Sequence, residues 1–225
     1  MKVFRSALLE KCNGVIHGFV HDPGGLDILR IASAYGLEDI ITVNQVHGST
    51  VFFADNAAEK KSAEADSIVT RQKGTGIGVI TADCVPVLVC FPDSGCVFAV
   101  HAGWRGTSLR VVRESIGAVC EEYSLKPRDA VAAIGPAIRR CCYEVRDDVA
   151  SRFVGRFSGE TNWLLEKGDG KFLLDLVEIN RIELFDAGVQ QVEVMDLCTY
   201  CQGLPSYRRD GSGTEKMISF VGISS

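Results

Sequence analysis

Two histidines and one cysteine, in three separate segments of the sequence, have the side chains that bind metal ions. His47 stands in QVHG, Cys84 in TADCVP and His101 at the start of HAGWRG. Imidazole nitrogen and thiolate sulfur are borderline-soft ligands that suit Zn²⁺. Three protein ligands leave a fourth position open, where a bound water loses its proton near neutral pH. The residue types therefore predict a catalytic zinc site formed by His47, Cys84 and His101.

The same residues allow two other interpretations. Cys84 would be a nucleophile and His101 its base in a cysteine hydrolase that uses no metal. Histidine and cysteine beside apolar strands are also often plain packing residues, and the spacing alone does not separate the three possibilities. In the same segment as His101, Arg105 is predicted to hold a phosphate or carboxylate, because a guanidinium donates two parallel hydrogen bonds to such groups.

Apolar runs predict that each candidate ligand lies at the end of a strand. Ile40–Val46 and Val51–Ala54 flank His47. Val85–Phe91 and Cys96–His101 flank the turn sequence PDSG, in which Pro presets φ and Gly accepts positive φ, so that a hairpin is expected.

Thr107 is the predicted N-cap of a helix that runs to Tyr123, with Leu109, Val112, Ile116 and Val119 on its buried face. Other predicted strands are Gly14–Val20, Ser67–Thr70, Gly76–Thr81, Val131–Ile134, Gln191–Met195 and Met217–Ile223, and other predicted helices are Leu26–Tyr35, Asp147–Phe157 and Asp175–Asp186. The pattern predicts an α/β domain of mixed sheets covered by helices.

Composition excludes several classes of protein. Of 225 residues, 46% are apolar and 24% charged, which excludes an intrinsically disordered chain. The net charge of −5 argues against a nucleic-acid partner. No apolar run approaches the ~20 residues needed to cross a bilayer, so no membrane partner is expected. The first residues lack the apolar core of a signal peptide, which predicts a cytoplasmic protein. No linker divides the sequence, and we expect residues 1–225 to form a single domain.

Nine cysteines in such a chain predict free thiols rather than disulfides. Three of them, in apolar or amphipathic runs, are predicted core residues: Cys90, Cys96 and Cys120. Cys198 and Cys201 have zinc-knuckle spacing, which Cys141 and Cys142 would complete to a set of four. Because a second C-x-x-C is missing, we expect separate thiols there rather than a metal site.

Six segments together resemble the YfiH/laccase-domain family. They are NQVHGSTV, ADSIVT, TADCVPVLV, VHAGWRGT, AIGPAI with CCYEV, and DLCTYC with SYRRDG, in this order from about Gly18 to the end of the chain. Members of this family have been described as multicopper polyphenol oxidases, purine nucleoside phosphorylases and peptidoglycan editing factors. The resemblance implies a four-layer α-β-β-α sandwich with mixed sheets and a monomeric state.

What the resemblance implies about chemistry centres on the three candidate ligands. It implies one metal, zinc or alternatively copper, bound by His47, Cys84 and His101. The implied activities are phosphate-dependent cleavage of adenosine, inosine, guanosine and methylthioadenosine, and hydrolytic deamination of adenosine. On this basis Cys84, His101 and Arg105 are the predicted catalytic residues. The expected partners are purine nucleosides and phosphate, with predicted contacts from Asn44, Gln45 and Cys142.

Two alternatives stay open beside the purine nucleoside enzyme. The first is the cysteine hydrolase that uses Cys84 and His101, acting on an amide or a peptidoglycan precursor. The second is a copper-dependent polyphenol oxidase, which is disfavoured because a laccase with several coppers needs many histidines. This sequence contains four.

Overall fold

The computed structural model describes residues 1–56, 63–157 and 162–225, which contain fourteen strands and six α-helices. The strands are β1 (Lys2–Phe4), β2 (Val15–His21), β3 (Asp39–Ile41), β4 (Val51–Phe53), β5 (Ser67–Thr70), β6 (Thr75–Thr81), β7 (Val85–Phe91), β8 (Cys96–Ala102), β9 (Val131–Ile134), β10 (Glu144–Arg146), β11 (Leu164–Gly168), β12 (Lys171–Leu174), β13 (Gln191–Val194) and β14 (Met217–Ile223). The helices are α1 (Ile28–Ala34), α2 (Trp104–Ser108), α3 (Val111–Tyr123), α4 (Asp147–Ala150), α5 (Leu176–Asp186) and α6 (Tyr207–Asp210).

Two large mixed sheets pack face to face and form the middle of the fold. One has the order β1-β2-β14-β6-β3 and the other β13-β9-β7-β8-β5-β4. Strands β7 and β8 are buried along their whole length, as expected for continuous apolar runs covered on both faces. Helix α1 covers the first sheet, and α3 and α5 cover the second. The predicted α-β-β-α sandwich of mixed sheets is therefore confirmed. No helix in the described ranges is long and apolar enough to cross a membrane.

Three candidate side chains come together where neighbouring strands of the second sheet end. In the predicted hairpin, Val85 pairs with Ala102, so that Cys84 lies just beyond the strand end, next to His101. On the other side of β8, Ser67 pairs with Val100, which places Asp66 opposite His101. The loop that contains His47 leads into β4, the neighbour of β5. Local sequence thus forms the hairpin of β7 and β8, and the pairing of β5 with β8 brings the other segments to the same strand ends.

The predicted N-cap at Thr107 is wrong. The segment forms two helices instead of one: α2 starts directly after Gly103, and α3 starts after Arg110, whose φ of 62° lies in the left-handed region. Thr107 is fully buried within α2, and its hydroxyl accepts a hydrogen bond from Asn180 Nδ2 at 3.0 Å. The break turns Leu109 outward, where it is 50% exposed. The other three residues predicted for the buried face are buried on α3.

Other boundaries differ for local reasons. The predicted helix from Asp147 ends at Ala150, and turns follow it up to Phe157, among them Gly155 with a φ of +79°. The predicted strand from Ile40 ends at Ile41, since the chain crosses there from one large sheet to the other.

Helix α5 agrees with the prediction, with Asp175 as its N-cap. The small sheet of β10, β12 and β11 was not predicted. Cys90 and Cys96 are buried as predicted, and Cys120 is half-buried.

Glu183 on α5 gives a prediction about stability. Its side chain is buried, and within the described residues neither carboxylate oxygen has a hydrogen-bond partner. Burial raises the pKa of Glu183, although Arg110, with Nε 3.8 Å from Oε1, acts in the opposite direction. The folded state therefore binds this proton more tightly than the unfolded state, and stability falls as the pH rises through the folded pKa.

We expect Glu183→Gln to raise the free energy of unfolding at pH 8, on the order of 1 kcal/mol. The gain should shrink as the pH is lowered and Glu183 itself becomes protonated in the parent protein. Urea unfolding over a pH series measures this. Glu178→Gln, on the same helix but paired with Arg181 at its surface, is the control and should not stabilise. Equal or lower stability of Glu183→Gln at pH 8 would contradict the argument.

Candidate metal centre

The three predicted metal ligands converge. One ligand atom each from His47, Cys84 and His101 lies within 4.8 Å of the others. The imidazole ring centroids of the two histidines are 4.8 Å apart, with an edge-to-face arrangement. His101 is buried, Cys84 is half-buried and His47 is exposed. The group therefore has an inner side closed by protein and an outer side that a small molecule can reach.

Asp66 holds two of the three ligands in place. Its fully buried carboxylate lies 2.7 Å from His101 Nδ1 and accepts hydrogen bonds from the backbone N–H groups of His47 (3.0 Å) and Gly48 (2.6 Å). Because Nδ1 of His101 is engaged with Asp66, Nε2 is left for a metal. Sequence reasoning missed Asp66, although it stands directly before a predicted strand in ADSIVT.

The protonation of the site follows from the same contacts. Burial lowers the pKa of His101, but hydrogen bonds with Asp66 and Cys84 outweigh this effect and raise it to about 9. Burial, together with the positive charges of His101 and Arg105, lowers the pKa of His47. Burial acts to raise the pKa of Asp66, but its hydrogen bonds to His101 and Gly48 leave it below the usual value. A metal that binds His101 near neutral pH must therefore displace a proton.

The backbone is strained beside two of the ligands. His47 has a φ of 60° and Asp83, the neighbour of Cys84, a φ of 87°. Such conformations cost about 1–3 kcal/mol each and persist only where the surroundings impose them. At His47 the imposing contact is the hydrogen bond from its N–H to Asp66. The strain indicates that the fold holds these side chains in a set arrangement.

Asp83 fixes the turn that presents Cys84. Its carboxylate accepts hydrogen bonds from Thr199 Oγ1 (2.6 Å), Ser206 Oγ (3.1 Å) and the backbone N–H of Arg208 (2.7 Å). These three residues belong to one segment near the end of the chain. Through these three contacts Asp83 ties the turn of Cys84 to that segment and so positions Cys84.

Two glycines allow the elements to approach each other closely. A Cβ on Gly103 would lie 3.0 Å from His47 Nδ1 and 3.1 Å from Cys84 Sγ. A Cβ on Gly106 would lie 2.9 Å from the carbonyl oxygen of Gly48. All three distances are shorter than ordinary van der Waals contacts of a Cβ atom. Glycine at these positions lets α2 lie directly against the candidate ligands.

Arg105 lies at the outer rim of the site. Its guanidinium stacks on Trp104, 4.4 Å from the ring centroid, and its charge acts on His47. The side chain is exposed, and it forms no ion pair within residues 1–56, 63–157 and 162–225. A cation that is both oriented by a ring and unpaired can bind an anion beside the candidate ligands.

The predicted substrate contacts lie in three different settings. Asn44 is exposed in the loop before His47. Gln45 uses both ends of its amide on the backbone of Ile80, at 2.7 and 2.8 Å, so these atoms link the loop to β6. Cys142 lies 3.1 Å, sulfur to sulfur, from Cys201. The expectation of separate thiols is corrected there, because four cysteines lie together.

Sequence reasoning also missed Tyr143. Its side chain is buried, and burial together with the nearby Cys84 sulfur raises the pKa of its phenol, against the effect of Arg208. The Arg208 guanidinium stacks on the ring at 5.0 Å from its centroid. Tyr143 therefore lies near Cys84, within reach of its charge.

The donor set fits a single divalent ion. Two imidazoles and one thiolate with an open side match the ligands of catalytic zinc sites. The other two histidines are engaged elsewhere: His17 Nε2 accepts a hydrogen bond from the N–H of Ser6, and His21 Nε2 lies 2.6 Å from Glu215. The four histidines of the sequence therefore do not supply the ligands for several coppers.

Comparison with known proteins gives consistent results. A family model described as "Multi-copper polyphenol oxidoreductase laccase" matches residues 27–224. A protein of Deinococcus radiodurans named purine nucleoside phosphorylase is 36% identical over 196 residues, which cover 86% of this chain and 75% of the relative. The Escherichia coli protein named purine nucleoside phosphorylase YfiH is 34% identical, covering 80% of this chain and 72% of the relative.

The fold is also similar to solved structures. The crystal structure of Bacillus licheniformis hypothetical protein YfiH superimposes with a TM-score of 0.87 at 28% identity, and the match covers 96% of each chain. YlmD from Geobacillus stearothermophilus gives a TM-score of 0.85 at 28% identity, with 95% of this chain and 93% of that chain covered. Both the sequence and the arrangement of its elements are therefore shared with these proteins.

Proposed function

This chain belongs to the family described as multi-copper polyphenol oxidoreductase laccase, which is the YfiH/laccase-domain family, and from that premise we propose that it is a zinc-dependent purine nucleoside phosphorylase. The observation that carries the proposal is the convergence of His47, Cys84 and His101 beside Arg105, which forms no ion pair with the described residues. The names of the relatives supply the substrate class. The proposed substrates are adenosine, inosine, guanosine and methylthioadenosine, with phosphate as the second substrate.

The residues that would hold the ion are His47, Cys84 and His101. A zinc ion with three protein ligands supplies Lewis-acid chemistry at its open position. Asp66 keeps Nε2 of His101 available and fixes its ring, and Asp83 fixes the turn of Cys84. These contacts hold the candidate ligands in their positions before substrate binds. Such preorganisation lowers the entropic cost of reaching the transition state. Copper is the alternative ion, because the same donor types bind it.

In phosphorolysis a phosphate oxygen attacks C1′ of the ribose while the bond from C1′ to the purine nitrogen breaks. Positive charge develops on the sugar, and the purine leaves with the bonding electron pair and takes up a proton. Arg105 would hold the phosphate by two charge-assisted hydrogen bonds, so that an anion faces the developing positive charge. The exposed Asn44 is proposed as a substrate contact at the same rim. The products are ribose 1-phosphate and the free base.

Deamination of adenosine is proposed as a second reaction of the same site. Water replaces phosphate as the nucleophile and adds at C6 of adenine, and ammonia leaves to give inosine. The test of both activities is one product assay on adenosine with and without phosphate, using protein purified without a histidine tag. Adenine and ribose 1-phosphate, formed only with phosphate, support phosphorolysis; inosine supports deamination. Absence of both products from zinc-loaded protein overturns the proposal.

Arg105 gives a prediction about phosphate. Arg105→Ala should raise the KM for phosphate about 10–100-fold, because hydrogen bonds to a charged group contribute about 1.5–3 kcal/mol. Arg152→Ala is the matched control, since Arg152 stacks on the same Trp104 ring at 5.5 Å. Arg105, in contrast, is the arginine whose charge acts on the pKa of His47. Steady-state kinetics with varied phosphate measure the effect. Similar KM values for the parent protein and Arg105→Ala would remove Arg105 from the proposed site.

A second candidate function is supported by one specific contact. Cys84, His101 and Asp66 form a hydrogen-bonded series in which His101 contacts both of the others. Nucleophile, base and orienting carboxylate in this order are typical of cysteine hydrolases. Cys84 Sγ would attack an amide carbonyl, the amine would leave with a proton from His101, and water would release the acyl group. An amide or a peptidoglycan precursor is the corresponding substrate.

A further inference from the structure

A second group of thiols lies outside the candidate catalytic site. We call it the four-cysteine cluster; it consists of Cys141, Cys142, Cys198 and Cys201. One sulfur atom from each lies within 4.8 Å of the other three. We propose that the four-cysteine cluster binds one Zn²⁺ through four thiolates and acts as a structural metal site. This inference does not depend on the proposed enzymatic function.

The distances within the cluster fit one small ion. Cys201 Sγ is 3.6 Å from Cys141 Sγ and 3.1 Å from Cys142 Sγ. In a tetrahedral site with zinc–sulfur bonds of about 2.3 Å, the sulfur atoms are about 3.8 Å apart. The cluster is therefore close to the required size, and changes of up to about 1 Å in the sulfur–sulfur distances complete it. A disulfide would need a sulfur–sulfur distance of about 2.05 Å.

The backbone presents the thiols on two tight turns. In the first, the carbonyl oxygen of Arg139 accepts hydrogen bonds from the N–H groups of Cys142 and Tyr143, at 2.9 and 3.0 Å. In the second, the carbonyl oxygen of Cys198 accepts a hydrogen bond from the N–H of Gln202 at 3.1 Å. The turns are joined by a β-bridge between Ala137 and Cys198. Two turns locked together in this way keep all four sulfur atoms on one side.

The close spacing of the four thiols favours a bound cation over four free thiolates. Four thiols at this spacing cannot all ionise alone because their charges repel, whereas a divalent ion removes the repulsion.

The position of the cluster explains what such an ion would stabilise. Thr199, within the second turn, donates the 2.6 Å hydrogen bond to Asp83, the neighbour of Cys84. Tyr143, which follows the first turn, lies close enough to Cys84 for the sulfur to raise the pKa of its phenol. An ion in the cluster would therefore fasten the segment that holds the Cys84 turn through Asp83 to the segment of Tyr143.

The experiment is a count of zinc in matched variants. Protein is reduced, stripped with a chelator, reloaded with Zn²⁺ and freed of excess ion before elemental analysis. We expect about two equivalents in the parent protein and about one in Cys201→Ser. Cys120→Ser changes a half-buried cysteine outside both groups and should keep both equivalents. One equivalent in the parent protein, lost on Cys84→Ala, overturns the proposal.

A cobalt spectrum makes the test independent of whether Cys201→Ser folds well. Cys84→Ala, loaded with Co²⁺, should show the strong thiolate-to-metal absorption of a four-sulfur tetrahedral site. The same absorption should weaken and shift when Cys201→Ser is added, because only three of the four thiolates remain. Absence of the absorption in fully reduced Cys84→Ala overturns the proposal. A disulfide within the cluster that persists in the presence of Zn²⁺ and reductant, detected by intact mass, also overturns the proposal.

Discussion

Cys84→Ala should lose the proposed metal of the candidate site and with it the proposed purine nucleoside phosphorylase activity. The sulfur is one of three proposed ligands, and it is held in place by the strained Asp83 turn. Removing a partner that only orients a ligand typically costs 10–100-fold in metal affinity or activity. We therefore expect removal of a ligand itself to lower zinc affinity and activity by more than about 100-fold. Competition with a chelator of known affinity measures the first, and the phosphate-dependent product assay the second.

The same variant separates the two candidate functions. As a nucleophile, Cys84 would be needed for hydrolysis, while a metal would not. If Cys84→Ala keeps its zinc affinity at this site but loses activity on every substrate, the thiol acts as a nucleophile and the phosphorylase proposal is wrong. Cys90→Ala is a control for loss of a thiol, because Cys90 is buried in β7 and faces no candidate ligand. It should lower stability and leave zinc affinity near the parent value.

The part of the site that sequence could predict depends on short-range structure. The turn at PDSG and the apolar runs on both sides predict the hairpin of β7 and β8, and the register then places Cys84 beside His101. His47 joins them because its loop crosses from one sheet to the other, which the sequence pattern does not indicate. The resemblance to known proteins, rather than spacing, links His47 to the other two residues.

The missed residues depend on contacts between distant segments. Asp66 faces His101 only because β5 pairs with β8, across about 30 intervening residues, and a lone aspartate before a strand gives no sign of this. The break between α2 and α3 follows from the left-handed Arg110, which no local pattern predicts. The four-cysteine cluster exists because a β-bridge joins Ala137 to Cys198. Cysteine spacing alone therefore predicted separate thiols.

Asp66→Asn is expected to weaken the catalytic metal site while leaving all three ligands present. The amide keeps the shape of the carboxylate but removes its charge and one of its accepting oxygens, so the contacts to His101 and Gly48 cannot both be kept. Zinc affinity and activity should fall by about 10–100-fold. The pKa of His101 should also fall from about 9, because the interaction with Asp66 that raises it is weakened.

That shift distinguishes positioning from mere structural support. In the parent protein, a proton and zinc compete for His101. Zinc affinity should therefore increase with pH up to the pKa of His101. In Asp66→Asn the increase should level off at lower pH, which chelator competition over a pH series measures. Asp55→Asn is the matched control, since Asp55 accepts hydrogen bonds from Thr70 and Arg71 at the opposite end of β5. A pH profile for Asp66→Asn that matches the parent profile would mean that Asp66 supports the fold but does not set the protonation of His101.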